Sequence, residues 1–174
     1  KNDAGKYVVG LKDDGALEVK PSTDSGKTSA TLEGIYAGEG TVVEKPENGT
    51  GSGTPNKAGT DVTVDLTTKG EEPAETTGTV ELTVNADTAQ SLVSANAEAL
   101  TVKSDVGTVS LDKDALGELK DVSEPVVISI AATNDEGAAP TWEVTVKEGE
   151  KELFAETTDV GITITVPAPA GATA

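Results

Sequence analysis

From Asp61 onward, apolar and polar residues alternate with a period of two in a series of short runs. Val62, Val64 and Leu66 share one face of the first run, and Val80, Leu82 and Val84 share one face of the second. The polar, proline-containing GEEPAE lies between them as a loop. The stretch from Leu100 to Leu119, LTVKSDVGTVSLDKDALGEL, then reads as strand, turn, strand, helix. Leu100 and Val102 alternate, Ser104, Asp105 and Gly107 supply turn chemistry, and Val109 and Leu111 resume the strand pattern. At Asp112 the period changes. Its carboxylate can accept from the free N–H groups of a helix carrying Ala115, Leu116 and Leu119, while Leu111 and Leu116 stand where a hydrophobic staple would close. A second short helix is expected over Ala89, Leu92, Val93 and Ala97, with Asp87 and Gln90 as a capping box.

After Pro125, Val126, Ile128 and Ile130 form a strand, and Val127 suggests burial on both faces and a central place in a sheet. Asn134 to Gly137 form a turn, and Trp142, Val144 and Val146 alternate on the next strand. Gly149 sits in a hairpin turn leading to Leu153 and Phe154, and Val160, Ile162, Ile164 and Val166 close the sheet. The expected fold is mainly β, a sandwich-like antiparallel domain over residues 61–167 with two short helices.

The first 44 residues carry short apolar segments, YVVG, ALEV, ATLEGIY and GTVVE, broken by Gly5, Gly10, Gly15, Gly26, Gly34, Gly38 and Gly40. They read as a small β segment, either a sandwich fragment or the last rungs of a solenoid. KPENGTGSGTPNKAGT, residues 45–60, has one aliphatic side chain, Ala58, and is expected to be a flexible linker. Residues 168–174 are expected to be a disordered tail.

GTVSLDKDALGEL, preceded by a small-residue helix and a short strand, resembles the β-rich region that lies before the S-layer-homology repeats in secreted surface proteins of Firmicutes-type bacteria. The resemblance spans about Gly59 to Pro169 and includes the closing strand GITITVPAP. No S-layer-homology repeat follows in this sequence. The resemblance implies a non-catalytic extracellular module and brings no binding residue with it.

Composition narrows the chemistry. The 174 residues include 31 acids and 13 bases, every base a lysine, for a formal net charge of −18. So acidic a surface repels phosphate backbones and anionic membranes, so neither nucleic acid nor membrane insertion is expected. No run of 18 apolar residues occurs. There is no His, Cys, Met or Arg, which excludes catalytic triads, zinc clusters and thiol chemistry. A carboxylate pair acting on a glycoside is the one acid–base route left, and no recognisable spacing supports it. Aromatics are 2% of the chain, so its core must be aliphatic. The absence of cysteine fits bacterial surface proteins and many cytosolic ones. With Lys1 in first place, the chain reads as an excised piece of a longer protein.

Few residues qualify as a site, and no catalytic, cofactor-binding or metal residue is assigned. Asp13, Asp14 and Gly15 form one acidic turn and Asn134, Asp135 and Glu136 another. Either has oxygens for Ca²⁺, but neither has the alternating spacing of a dedicated loop, and the simpler reading is a solvated turn. Asp112 and Asp114 read as helix N-terminal charges. Trp142 lies on the face of Val144 and Val146, so it is packing if that face is the core and a sugar platform if it is open, with Tyr7, Tyr36 and Phe154 the only helpers. Asn48-Gly49-Thr50 matches a glycosylation acceptor, an idle match in a bacterial protein. A Lys–Asn amide cross-link is conceivable, with partners that sequence does not select.

The expected function is a structural spacer or assembly segment of a bacterial surface protein, beside other modules of the same chain. The alternative is an adhesin-like module for a glycan or a host or matrix protein, with binding carried on loops.

Overall fold

The computed structural model describes residues 8–9, 17–21, 28–38, 41–43, 56–58, 60–67, 77–154 and 161–167. The protein is mainly β, with two sheets and two helices in a sandwich-like arrangement. The strands are β1 (Val8–Val9), β2 (Leu17–Pro21), β3 (Thr28–Gly34), β4 (Thr41–Val43), β5 (Asn56–Ala58), β6 (Asp61–Asp65) and β7 (Gly78–Val84), followed by β8 (Ala99–Lys103), β9 (Thr108–Asp112), β10 (Val126–Thr133), β11 (Thr141–Glu148), β12 (Lys151–Glu152) and β13 (Ile162–Thr165). Helix α1 (Ala86–Ser94) separates β7 from β8, and α2 (Lys113–Gly117) separates β9 from β10. The larger sheet runs β12-β11-β10-β7-β3-β2-β4-β5, with β1 on β2, and the smaller runs β13-β9-β8-β6.

The period-two faces meet in one core. Val80, Leu82, Val84, Ile128, Ile130 and Val146 come from the large sheet, and Val62, Val64, Leu100, Val102, Val109 and Leu111 from the small one, all nearly devoid of exposure. Both helices are crossovers between the sheets. α1 leaves β7 after Val84 and enters β8 at Ala99, while α2 leaves β9 at Asp112 and leads to β10 at Val126. Because Ala99 pairs with Asp112 and Val84 with Val126, all four strand ends lie together, and the helices close that end of the sandwich with Ala89, Leu92, Ala115, Leu116 and Leu119.

The Asp112 cap forms as its sequence implies. Its Oδ1 accepts from the Ala115 N–H at 2.9 Å, and Leu111 and Leu116 are both buried in the core. The capping box expected at Asp87 does not form. α1 begins at Ala86 with Asn85 as its N-cap residue, Asp87 lies within the first turn, and Gln90 donates instead to the Val122 carbonyl at 2.6 Å. The reason is tertiary: the Asn85 N–H is drawn to the Leu32 carbonyl, so the chain turns into the helix directly from β7. β10 is central, between β7 and β11, as expected. Val127 is nonetheless only half-buried, because the outer face of the sheet is open there.

The N-terminal strands belong to the same sheet as the rest. β3 pairs in parallel with β7, Ala30 opposite Leu82 and Leu32 opposite Val84, and the buried side chains of Leu17, Ala30, Leu32 and Tyr36 join the common core. β2 and β3 pair antiparallel, unlike the stacked parallel rungs of a solenoid. Within the expected linker, Asn56–Ala58 forms β5, antiparallel to β4 with Thr41 opposite Ala58. Backbone pairing orders a stretch whose side chains promised little. Residues 44–55 and the tail 168–174 lie outside the described residues.

Candidate functional site

Three surface features merit a functional reading. The first is a trough of about 330 Å³ on the outer face of the large sheet. It is built by the polar phase of the same alternation whose apolar phase makes the core. Thr79 and Glu81 stand on β7, Ser129 on β10, and Glu143, Thr145 and Lys147 on β11. Register puts Glu81, Ser129 and Thr145 in one row and Thr79, Ala131 and Glu143 in the next. Neither Glu81 nor Glu143 is buried, and their backbones are about 12 Å apart from strand spacing and rise. The surface offers hydrogen bonds of both polarities to a hydroxyl-rich or peptide ligand.

The second feature is a shallow depression of about 420 Å³ at the helix-capped end, where Ile35, 45% exposed, faces Asp87, Gln90 and Ser94 of α1. Its floor is rigid. The Tyr36 N–H donates to Ser91 Oγ at 2.9 Å, Ser91 Oγ donates to the Thr88 carbonyl, and Thr88 Oγ1 donates to the Gly34 carbonyl at 2.6 Å.

The third is an apolar slot of about 240 Å³ where the two sheets gape at one edge, between Val144, Val146 and Phe154 on one side and Ile162 and Ile164 on the other, with Glu152 at its rim.

The sequence-derived candidates fall as follows. Tyr7, Asp13, Asp14, Gly15 and Asn48-Gly49-Thr50 lie outside the described residues. Asn134, Asp135 and Glu136 are exposed on the β10–β11 turn, and no group of three or more potential ligands that could hold a metal ion occurs among the described residues. Asp112 is a helix cap and Asp114 an exposed first-turn acid. Trp142 faces inward with Val146, half-buried, and its Nε1–H donates to the Val106 carbonyl at 3.0 Å, so this indole is a packing residue. Tyr36 is 2% exposed. It lies beyond Leu32, whose partner Val84 is at the helix end, whereas Trp142 pairs with Ala132, itself opposite Gly78, at the other end of the strands. The two rings share no binding surface. Of the proposed aromatic helpers, Tyr36 lines the depression at the helix-capped end and Phe154 the apolar slot, so they serve different surfaces.

Sequence reading passed over one carboxylate. Glu148 Oε1 accepts from the Ser123 N–H at 2.7 Å and the Glu124 N–H at 3.3 Å, fastening the crossover after α2 to the end of β11. These backbone bonds, Ser123 first, hold its pKa below the ordinary glutamate range, with Lys151 helping. No local motif marks it, because its partners are 24 and 25 residues away.

No family model, curated protein or solved structure matches this chain. Among the described residues, no helix is long and apolar enough to cross a membrane. What fold and site define together is a mainly β, sandwich-like module with an acidic surface.

Proposed function

We propose that the protein is a non-catalytic extracellular module of a bacterial cell-surface protein, serving as a structural spacer or assembly segment between other modules. The observation that supports this most directly is the parallel splice of β3 onto β7, which makes the N-terminal strands part of the sandwich's own sheet and core. A spacer must transmit load without coming apart at internal joints, and five consecutive residue pairs hold this joint within one sheet. The aliphatic core, the −18 charge that discourages non-specific contact, and the resemblance around Leu100 to Leu119 point the same way.

Pulling the chain by its two ends in a single-molecule force experiment tests the mechanical part. A spacer of this construction gives one cooperative rupture, and separate low-force peeling of the N-terminal strands would refute it. Antibody labelling of intact cells of the source bacterium tests the extracellular part, and labelling only after lysis would refute that.

A second reading, an adhesin-like module for a glycan or a host or matrix protein, draws on the polar trough of Glu81, Ser129, Glu143, Thr145 and Lys147. A glycan array, with trough residues replaced by alanine in any positive case, decides between them.

A further inference from the structure

β13 is an edge strand of unusual composition for this chain. Gly161 to Pro167, GITITVP, has no charged residue in a protein one quarter charged. Protective devices on exposed edges, such as a lysine, a bulge or a proline within the strand, are missing from Ile162–Thr165, and Pro167 comes only after it. Among the described residues β13 pairs with β9 alone. Its inward row is also unfinished. Ile162 and Ile164 stand opposite Leu111 and Val109, which are fully buried, yet Ile164 is 47% exposed and Val166 38%. The side chains face the core side of the sheet, and the large sheet stops short of covering them. The gap that results is the apolar slot between β11, Phe154 and β13.

We propose that this edge is a self-association surface, on which β13 of a second copy of the chain adds antiparallel to β13 and presents its isoleucines to the slot. The strand supplies what the slot lacks: aliphatic side chains at every second position and no charge to desolvate. A two-fold axis through Thr163 would set Ile162 opposite Ile164 of the second copy and keep every isoleucine on the inward face, so the contact is self-complementary and closes as a dimer. The rim agrees with this. Of the residues lining the slot only Glu152 is charged, so a second uncharged strand meets a single carboxylate there. A four-residue strand is only about 13 Å long. The contact therefore falls below the roughly 1,200 Å² of a stable interface, and the dimer is weak and concentration-dependent. The proposal deepens the assembly reading above, rests on it for its biological sense, and gives that assembly a partner, a second copy.

Sedimentation equilibrium of the full chain, from micromolar to millimolar and at low and high salt, is the test. The expected result is a mass rising toward that of a dimer with concentration, more steeply at high salt, where the −18 charges on each copy are screened. Ile164→Lys should lower the association constant at least tenfold while the circular dichroism and melting temperature stay close to those of the parent, since that side chain is half exposed already. Because the chain has no cysteine, Thr163→Cys should form an inter-chain disulfide on oxidation, and Asp135→Cys on the distant β10–β11 turn should not. A parent chain that stays monomeric throughout, an Ile164→Lys variant that associates as well as the parent, or equal cross-linking at positions 163 and 135 would each overturn the inference. A monomeric chain that still ruptures cooperatively under force would overturn it while leaving the spacer reading intact.

Discussion

The indole N–H of Trp142 and the carbonyl of Val106 are 3.0 Å apart, and the bond between them ties strand β11 of the large sheet to the β8–β9 turn of the small one. It closes the end of the sandwich that the helices leave open. Val106 is 4% exposed and packs where any side chain at Gly78, φ +137°, would press on its Cγ1 at 3.0 Å. The turn carrying Val106 is held from within by Ser104, whose Oγ donates to the Gly107 carbonyl at 2.6 Å and accepts from the Gly107 N–H.

Trp142→Phe keeps most of the apolar contact and removes the donor. It should destabilise the chain by about 1–2 kcal/mol, because the Val106 carbonyl loses its partner in a partly buried place. Urea unfolding followed by circular dichroism measures the difference.

Leu32→Ala should cost about 2–5 kcal/mol, as for other fully buried leucines. The telling quantity is which signal moves. Trp142 lies in a different strand at the other end of the sheet, so its fluorescence midpoint should fall together with the circular dichroism midpoint if the core is shared. An unchanged tryptophan transition would show that the N-terminal strands fold apart from the rest.

Glu148 gives the stability a pH dependence of known sign. Its backbone bonds lower its pKa in the folded chain, so the folded state favours the ionised form. The contribution is present above the ordinary glutamate range and is lost as pH falls through that range and then through the lowered folded value. Glu148→Gln should therefore lower the melting temperature at neutral pH and flatten the part of its acid fall that Glu148 causes. Parallel melts of both proteins from pH 7 to pH 3 make the comparison.

Gly161→Ala should destabilise by about 1 kcal/mol or more, through another residue. A Cβ there would overlap the Asp112 carboxylate, which caps α2. The effect should shrink in an Asp112→Ala background, and a double-mutant cycle reads this coupling directly.

Much of the sandwich was legible because its strands alternate cleanly: Val62 and Val64, Val80 to Val84, Val109 and Leu111 and Val126 to Ile130 all bury the face their spacing names. The Asp112 cap was legible because a cap is local. The β3–β7 pairing was not, since a parallel pair has no turn between its strands to announce it, and Leu32 reads alone as one more aliphatic residue in a glycine-rich stretch. Trp142 could be placed on its face but not given its bond, whose acceptor is a backbone atom 36 residues away. The trough went unread for a different reason. Thr79, Glu81, Ser129 and Glu143 were in view as the polar phase of the alternation, but only register turns four separate strand positions into a surface.

The parallel splice also sets an order of events. β3 finds its partner in β7, and Gly34 its hydrogen-bond donor in Thr88, 54 residues further along the chain. β7 is in turn flanked by β10, which follows the second crossover helix. A chain emerging from its N-terminus first can lay β3 on β2 but has no partner for its other edge until the middle of the sequence has appeared, and such long-range parallel pairing is slow to form. The β2–β3 pair therefore waits with the other edge of β3 and its apolar face uncovered while the remainder is delivered, and that joint is closed from the far end backward.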